Sequence, residues 1–344
     1  MRKRGEIVRR QILRDVRHHP NDIAAHIGQI FSITRQAVNK HLKKLIDEGW
    51  LSAEGSTRKR VYILGSRREN TAAFKIEPGV NEHKIYFENF SWVLEGIPKN
   101  VDDIIFHGFT EMVNNAIDHS EGTLFTVRVK REPNSIRIFI VDNGEGIFRR
   151  ITRLCHLVDE RQAIIELSKG KLTTDISKHS GQGIFFTSKM FDTFFIDSIG
   201  LHFSHNQSNE FDWLLEVDAY ENDKGTAVYM GIALDSTRVV KEVFDQYTTG
   251  EDDDFSFNKT VVPVKLAIFG REQLVSRSQA KRLLARIENF KIVLFDFDSV
   301  HQIGQAFADE IFRVYKLRHP EITLLDTNSS EDVKAMIKRA QSDL

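Results

Sequence analysis

The chain has 344 residues, of which 41% are apolar and 28% charged, a globular composition whose length predicts two or three domains. No apolar run reaches the roughly 18 residues of a membrane span, and the basic start, MRKRGEIVRRQ, lacks the apolar core of a secretion signal. A single cysteine, Cys155, excludes a disulfide within the chain and a cysteine-based zinc site. We therefore expect a soluble, cytoplasmic protein with no membrane partner.

The net charge of −1 conceals an uneven distribution. Residues 1–68 contain sixteen Lys and Arg against six Asp and Glu, a net charge of +10, so the remaining residues carry −11. A basic block on an otherwise acidic chain predicts a polyanionic partner for that block alone.

Three helical patterns and two short strands are predicted within residues 1–68. Apolar residues recur at helical spacing from Glu6 to Val16, again up to about Ile30, and through TRQAVNKHLKKLIDEG, which Ser32 or Thr34 would cap. The strands WLSAE and VYIL flank a basic tip, GSTRKR. This order resembles a winged helix-turn-helix, and the resemblance is carried by SITRQAVNKHLKKLIDEGWL.

The resemblance implies that the third helix enters the major groove of double-stranded DNA. The residues that would read base edges are Arg35, Gln36, Asn39 and Lys40. The residues that would contact phosphates are Lys43, Lys44, Arg58, Lys59 and Arg60. The alternative is a winged helix that binds protein and whose basic surface is merely solvated.

A helix that contains FTEMVNNAIDHS is predicted in the next segment. Before it, RRENTAAF reads as a linker, KIYFENF reads as strand-like, and Asn100 or Asp102 offers a helix cap. Glu111 and Asn115 lie four residues apart, so both project from the same side of the helix. Such a pair could hold a water and a metal beside a phosphate, and a solvated polar face is the simpler alternative.

Two predicted strands, LFTVRVKR and SIRIFIVD, lead into the motif VDNGEGI. Asp142 ends the second strand and can accept a hydrogen bond from an exocyclic amine, while Gly144 and Gly146 allow the backbone to approach a ligand closely. Alone, this motif could be a turn. After FTEMVNNAIDH, it resembles the GHKL (Bergerat-fold) ATPases, which include type II topoisomerase subunits, histidine kinases and anti-sigma-factor kinases.

Later motifs follow the order of that family. HSGQGIFFTSKMFD places Gly181 and Gly183 before a helix whose N-terminal amides suit phosphate oxygens. DKGTAVYMGI resembles the final Gly-Thr element of the family. The stretch from Phe148 to Lys178 would then be the ATP lid. There is no P-loop signature.

The resemblance assigns roles by position. Glu111 would activate the attacking water, Asn115 would hold Mg²⁺, and Asp142 would bind the adenine amino group. The other residues implied at the phosphates, the lid and the adenine water are Gly144, Gly146, Gly181, Gly183 and Thr226. The terminal phosphate would meet one of three lysines, Lys169, Lys171 or Lys178.

Residues 251–344 begin with an acidic stretch, EDDDFSFNKT, and continue as alternating strands and helices. Strands are predicted at VPVKLAIFG, KIVLFDFDSV and EITLLDTN, and the first helix would be capped by Ser276 or Ser278. VLFDFDSVHQIGQAFADEIF resembles a STAS-like domain. The serine that is phosphorylated in anti-anti-sigma factors has no counterpart in Ile303-Gly304-Gln305-Ala306, so we expect an interaction module, docked in cis or on a neighbouring chain, rather than a phospho-switch.

The predicted fold is α/β multidomain. A winged helix occupies residues 1–68, a Bergerat-type α/β sandwich residues 75–248, an acidic linker residues 249–260, and a small α/β STAS-like domain residues 261–344. The predicted function is an ATP- and Mg²⁺-binding, ATP-hydrolysing regulator whose nucleotide state controls DNA or partner binding. Two alternatives are an anti-sigma-type serine/threonine kinase acting on a separate partner, and an ATPase in nucleic-acid processing or phage defence. A protein partner, or a second copy in a homodimer, would use the STAS-like domain.

Overall fold

The structure is a computed structural model that describes residues 2–56, 59–171, 182–206, 211–216, 224–248, 257–268 and 272–342. The chain is a mixed α/β multidomain protein with sheets of two, seven and three strands. Its buried apolar side chains form two clusters, one within residues 8–51 and one that extends from residue 85 to residue 340.

The N-terminal unit has the predicted order of three helices and a hairpin. Its elements are α1 (Arg2–Asp15), α2 (Ile23–Phe31), α3 (Arg35–Asp47), β1 (Leu51–Glu54) and β2 (Val61–Leu64). The two strands are antiparallel. Thr34 caps α3 by accepting a hydrogen bond from the Ala37 amide at 3.2 Å, whereas Ser32 ends α2 in the left-handed region at φ 52°. Of the two predicted caps, Thr34 is therefore the correct one.

The central unit contains the seven-stranded antiparallel sheet. Its strands are β3 (Arg68–Lys75), β4 (Leu124–Arg131), β5 (Ser135–Asp142), β6 (Thr193–Ser198), β7 (Leu201–Asn206), β8 (Phe211–Glu216) and β9 (Ala227–Ala233), in the order β3-β4-β5-β9-β6-β7-β8. Side chains alternate in burial along β4, β5 and β6, so that Ile136, Ile138 and Ile140 of β5 lie on the covered face.

The helical elements of the unit are α4 (Glu82–Ile85), a π-helical turn (Tyr86–Phe90), α5 (Ser91–Leu94), α6 (Lys99–His119), α7 (Ile147–Cys155), α8 (Glu160–Lys169), α9 (Gly183–Met190) and α10 (Val240–Asp245). Among them α5, α6 and α9 contact the strands of the sheet. The longest, α6, buries Ile105, Phe109, Met112 and Ala116 and contacts α9, β5 and β9. It therefore lies at the centre of the unit.

The C-terminal unit is a small α/β layer with a parallel sheet in the order β10-β11-β12. Its elements are β10 (Lys259–Pro263), a 3₁₀ turn (Val264–Ala267), α11 (Arg277–Leu284), a 3₁₀ turn (Ile287–Asn289), β11 (Ile292–Asp296), α12 (Gln305–Asp309), a π-helical turn (Glu310–Tyr315), α13 (Lys316–Arg318), β12 (Thr323–Thr327) and α14 (Glu331–Gln341). The predicted cap Ser276 starts α11 in a reciprocal capping box with Gln279.

Two predictions about the start of the central unit are wrong. RRENTAAF is not a linker, because most of it forms β3, which pairs along its whole length with β4 at the edge of the sheet. Only Ala72 and Phe74 of this strand pack against the core, so its apolar pattern is too short to recognise. KIYFENF is helical rather than strand-like. Its aromatic residues favour a strand by propensity, but Tyr86, Phe90 and Leu94 are buried at intervals of four.

Other element boundaries also differ from the predictions. The N-cap of α6 is Pro98, not Asn100 or Asp102. The strand predicted at VPVKLAIFG begins earlier, at Lys259, and ends at Pro263 in a 3₁₀ turn. The predicted acidic linker includes Phe257 and Thr260, which are buried, and its residues 249–256 lie outside the described residues.

Candidate functional site

The predicted site residues lie on four elements, and the structure brings them into contact as two groups, Glu111 with Gly183 and Asp142 with Gly144 and Thr226. Glu111 and Asn115 lie on α6, Asp142 ends β5, Gly183 begins α9, and Thr226 directly precedes β9. The helices α6 and α9 approach closely, because a Cβ atom on Gly108 would lie 2.4 Å from the Phe191 ring. The absence of a side chain at residue 108 therefore lets α9 pack against α6 beside Glu111.

The carboxylate of Glu111 lies against the first residue of α9. A Cβ atom built on Gly183 would be 1.9 Å from Oε2 of Glu111, so any larger residue there would require this carboxylate to move. The first backbone amides of a helix have no partner within the helix and attract negative charge. Glu111 therefore contacts the helix end to which the sequence assigns phosphate, and a phosphate there would compete with this carboxylate.

Asp142 is held in place by two backbone amides. Its Oδ1 atom accepts hydrogen bonds from the amides of Gly144 at 2.8 Å and Thr226 at 3.3 Å. Burial raises the pKa of this carboxyl, and the two amide bonds offset part of that effect. Within the described residues Oδ2 accepts no hydrogen bond, so this oxygen can bind a further donor.

Thr226 links the end of β5 to the start of α7. Its hydroxyl accepts a hydrogen bond from the Ile147 amide at 3.0 Å, and its carbonyl accepts one from the Asp142 amide at 3.0 Å. The preceding Gly225 has φ +89°, and a Cβ atom there would lie 2.1 Å from the Asp142 carbonyl oxygen. Close backbone approach therefore favours glycine at residue 225. The hydroxyl of Thr226 supplies a separate hydrogen bond.

Three residues of the site were missed by the sequence analysis. Ser198 donates a hydrogen bond to the Gly225 carbonyl at 2.8 Å, and Asn143 accepts from the amides of Thr123 and Leu124. The Ser120 carbonyl accepts from the Glu145 amide at 2.8 Å and would lie 2.0 Å from a Cβ on Gly144. Asn143 adjoins Asp142, but no sequence pattern links Ser198 to Gly225, because their contact is made only in the folded chain.

The three candidate lysines have different positions. Lys169 is buried and donates hydrogen bonds to Glu166 at 2.8 Å and to the Ala285 carbonyl at 2.5 Å. Lys171 donates to the Asn289 carbonyl at 2.7 Å, with its ammonium 4.9 Å from the centre of the Phe290 ring. Both lysine side chains therefore form hydrogen bonds with the C-terminal unit. These bonds do not support a phosphate contact by either lysine in this conformation. Lys178, like Gly181, lies outside the described residues.

The described part of the segment predicted as a lid, residues 148–171, is largely helical. Residues 147–155 and 160–169 form α7 and α8, and α8 is buried along its last seven residues. Gly146, which precedes α7, has φ +93° and lies against Ser198 and Ile199. The remainder of the predicted lid, residues 172–178, lies outside the described residues.

Asn115, the predicted magnesium ligand, lies four residues after Glu111 on α6. Its amide nitrogen is 3.9 Å from the Met112 sulfur, a weak contact that leaves the carboxamide oxygen able to bind another group. No group of three His, Cys, Asp or Glu side chains in the described ranges forms a metal cluster. An amide oxygen fits the oxygen ligands that Mg²⁺ prefers, with substrate phosphates and water as the other ligands.

The predicted DNA-binding residues form an exposed surface on α3. Arg35, Gln36, Asn39, Lys40 and Lys43 are exposed, and Lys44, also exposed, lies 3.6 Å from Glu48. Lys59 and Arg60 are exposed at the tip of the hairpin, and Arg58 lies outside the described residues. Burial and the charges of Arg9 and Lys44 lower the pKa of His41 on the same helix, which indicates a positive local potential.

Comparisons with known proteins identify the C-terminal unit. The fold defines a mixed α/β multidomain chain whose last unit has a parallel three-stranded sheet. Residues 279–334 match the family described as STAS-like domain of unknown function (DUF4325). The predicted STAS-like domain at the C-terminus is therefore confirmed. No curated protein matches the chain. No helix in the described part of the chain is both long enough and apolar enough to cross a membrane.

Proposed function

We propose that the central unit, residues 75–248, is a GHKL-type ATP-binding domain that hydrolyses ATP with Mg²⁺. The observation that carries this proposal is the arrangement at Asp142. One oxygen of its carboxylate is bound by the Gly144 and Thr226 amides, which orients the other oxygen for the adenine amino group. Glu111 lies beside the start of α9, where a terminal phosphate would bind, and Asn115, four residues further along α6, would hold its Mg²⁺.

Asp142→Asn tests the adenine contact. The amide oxygen of asparagine can keep the hydrogen bonds from Gly144 and Thr226, while its NH₂ group replaces the acceptor with a donor. We expect nucleotide affinity to fall by roughly tenfold or more, since a lost hydrogen bond leaves a buried donor unpaired. Calorimetric titration with ATP measures the change, and Asp245→Asn, at an exposed position of α10, is the matched control. Equal affinity of Asp142→Asn and the natural chain would contradict the proposal.

The effect of Asp142→Asn on stability can be predicted separately from its effect on nucleotide binding. Burial raises the pKa of Asp142 in the native state above its ordinary value of 3.8. Between these two pKa values the carboxyl is therefore protonated in the native state and ionised in the unfolded chain. The stability contribution of this group therefore falls as the pH rises from 3.8 through the native pKa, and stays lower above it. At neutral pH Asp142→Asn should be at least as stable as the natural chain. Thermal unfolding of the natural chain and of Asp142→Asn at pH 4 and pH 7 measures the pH dependence and the effect of the substitution.

Glu111→Gln tests hydrolysis. A general base contributes roughly 10² to 10⁴ in rate, and glutamine cannot accept the proton of the attacking water. We expect phosphate release from labelled ATP to fall by a factor in that range, with nucleotide binding retained. Label transferred to protein, with no free phosphate, would identify a kinase in place of an ATPase. Undiminished hydrolysis by Glu111→Gln would show that another group is the base.

We further propose that the N-terminal unit is a DNA-binding winged helix whose affinity depends on the nucleotide state. The exposed polar face of α3 and the basic hairpin tip support this role. The hairpin is joined to the sheet directly, because only residues 65–67 separate β2 from β3. Duplex DNA titrated at several salt concentrations should show an affinity that falls with salt. Identical affinities with ADP and with a non-hydrolysable ATP analogue would exclude the coupling.

A further inference from the structure

The C-terminal unit contacts the central unit at the residues that lead away from α8. The hydroxyl of Thr260, on β10, donates a hydrogen bond to the Lys169 carbonyl at 2.6 Å, and Thr260 is fully buried. On the other side, the Lys169 ammonium donates to the Ala285 carbonyl, which follows α11. Lys169, the last residue of α8, therefore forms hydrogen bonds with two parts of the C-terminal unit.

The buried charges at this contact are paired. The side chains of Lys169 and Glu166 are only 1% and 2% exposed, and they form an ion pair at 2.8 Å. Burial lowers the pKa of Lys169 and raises that of Glu166, and the hydrogen bond between them opposes both effects. Breaking such a pair is costly, so the end of α8 has a well-defined position relative to the C-terminal unit.

An aromatic contact connects the same point to α9. Gly170 has φ +77°, and a Cβ atom there would lie 2.5 Å from the ring of Phe257 and 3.1 Å from that of Phe185. The rings of Phe257 and Phe185 have centroids 4.9 Å apart, and Phe257 also packs on Phe290 of the C-terminal unit at 5.3 Å. Phe257 thus lies between the C-terminal unit and α9.

Phe185 belongs to the first turn of α9, two residues after Gly183, which contacts Glu111. A displacement of Phe257 or of the end of α8 would move this turn, because the rings and the backbone at Gly170 are in direct contact. The first turn of α9 is the part of the proposed ATP site that would bind phosphate. The C-terminal unit is therefore connected to that site by packed side chains.

We propose that the STAS-like unit positions the phosphate end of the nucleotide site, with Thr260 and Phe257 as positioning residues that act through Lys169, Gly170 and the first turn of α9. This inference rests on the proposed ATP-binding function. The contact of Thr260 and Phe257 with the central unit orders the first turn of α9 before the nucleotide binds. Nucleotide binding then carries no entropic cost for ordering that turn. By reciprocity, a bound nucleotide stabilises the contact.

Two substitutions outside the proposed site test the inference. Thr260→Val removes the hydrogen bond to Lys169, and Phe257→Leu removes the ring contact with Phe185 while keeping an apolar side chain. Coupling between sites typically changes affinity by about 5- to 150-fold, so each variant should weaken ATP binding at least fivefold. Thr260→Ser keeps the hydroxyl and should bind ATP as the natural chain does. Thr323→Val, on the exposed strand β12, is the matched control and should also leave affinity unchanged.

A second measurement uses the natural chain alone. Addition of ATP should slow amide hydrogen exchange at residues 257–263 and 285–290 by at least fivefold, and this slowing should be lost in Thr260→Val. Circular dichroism establishes that each variant is folded. If the natural chain binds ATP and both variants bind it equally well, the positioning role is wrong and the ATP site stands. If the natural chain binds no nucleotide, the proposed function fails, and the inference fails with it.

Discussion

The two junctions of the central unit are built differently. At the N-terminal junction the hairpin continues into β3 through residues 65–67, and Arg17 forms an ion pair with Glu95 at 3.3 Å in which both side chains are about half exposed. The N-terminal apolar core is a separate cluster. At the C-terminal junction one apolar core is continuous across both units and encloses the Lys169–Glu166 pair. The C-terminal unit therefore cannot separate without exposing core, whereas the N-terminal unit is held by exposed charges and a short connection.

This difference suits the proposed functions of the outer units. A DNA-binding unit that responds to nucleotide has to change its position or its mobility, and exposed ion pairs contribute little free energy against such a change. A unit that positions a ligand site has to stay in place, and a shared apolar core supplies that constraint. We therefore expect substitutions at the two junctions to differ in their effect on stability.

The largest effect is expected from Lys169→Met at the C-terminal junction. Loss of the ammonium leaves Glu166 buried without a partner, and breaking a buried pair in this way costs roughly 3–5 kcal/mol of unfolding free energy. The double variant Glu166→Leu with Lys169→Met removes both charges and should recover most of that loss. Urea unfolding at pH 7 measures both. A single variant as stable as the natural chain would show that the pair is not buried in solution.

A smaller effect is expected from Gly170→Ala, which tests the contact with Phe257. The substitution adds a methyl group 2.5 Å from that ring and places alanine at φ +77°, ψ −173°, a backbone conformation that is essentially restricted to glycine. The backbone conformation alone costs roughly 1–2 kcal/mol, and overpacking typically adds another 1–3.

Gly96→Ala is the matched control for Gly170→Ala. Gly96 has φ +79° and nothing within 4 Å of an added Cβ, so only the conformational cost applies. The difference in unfolding free energy between the two variants isolates the contact between Gly170 and Phe257. Equal losses would mean that this contact is absent in solution.

The smallest effect is expected from Arg17→Ala at the N-terminal junction. An exposed ion pair contributes at most about 1 kcal/mol, and salt screens it. The change in unfolding free energy should therefore be under 1 kcal/mol in low salt and should disappear at high ionic strength. A loss as large as that of Lys169→Met would show that the N-terminal junction is also buried, and the contrast between the junctions would be wrong.

Local patterns in the sequence predicted much of the fold. The helices of the N-terminal unit, α6 and the alternating strands and helices of the C-terminal unit have strong periodicity, and Thr34 and Ser276 act as caps through short-range hydrogen bonds. The edge strand β3 was missed because few of its side chains reach the core. The helix at residues 82–94 was missed because its aromatic residues have the propensity of a strand.

The sequence by itself determined which residues are candidates for the functional site. Asp142 and Gly144 could be named from a carboxylate at the end of a strand followed by a glycine-containing motif, and Thr226 from the resemblance of DKGTAVYMGI to the final Gly-Thr element of an ATPase family. Only the tertiary structure decided that Glu111 lies against Gly183, and that Lys169 and Lys171 bind the C-terminal unit rather than the site. These contacts join residues that are 72 to 118 positions apart in the chain. Packing of distant elements creates them, and no local pattern records that packing.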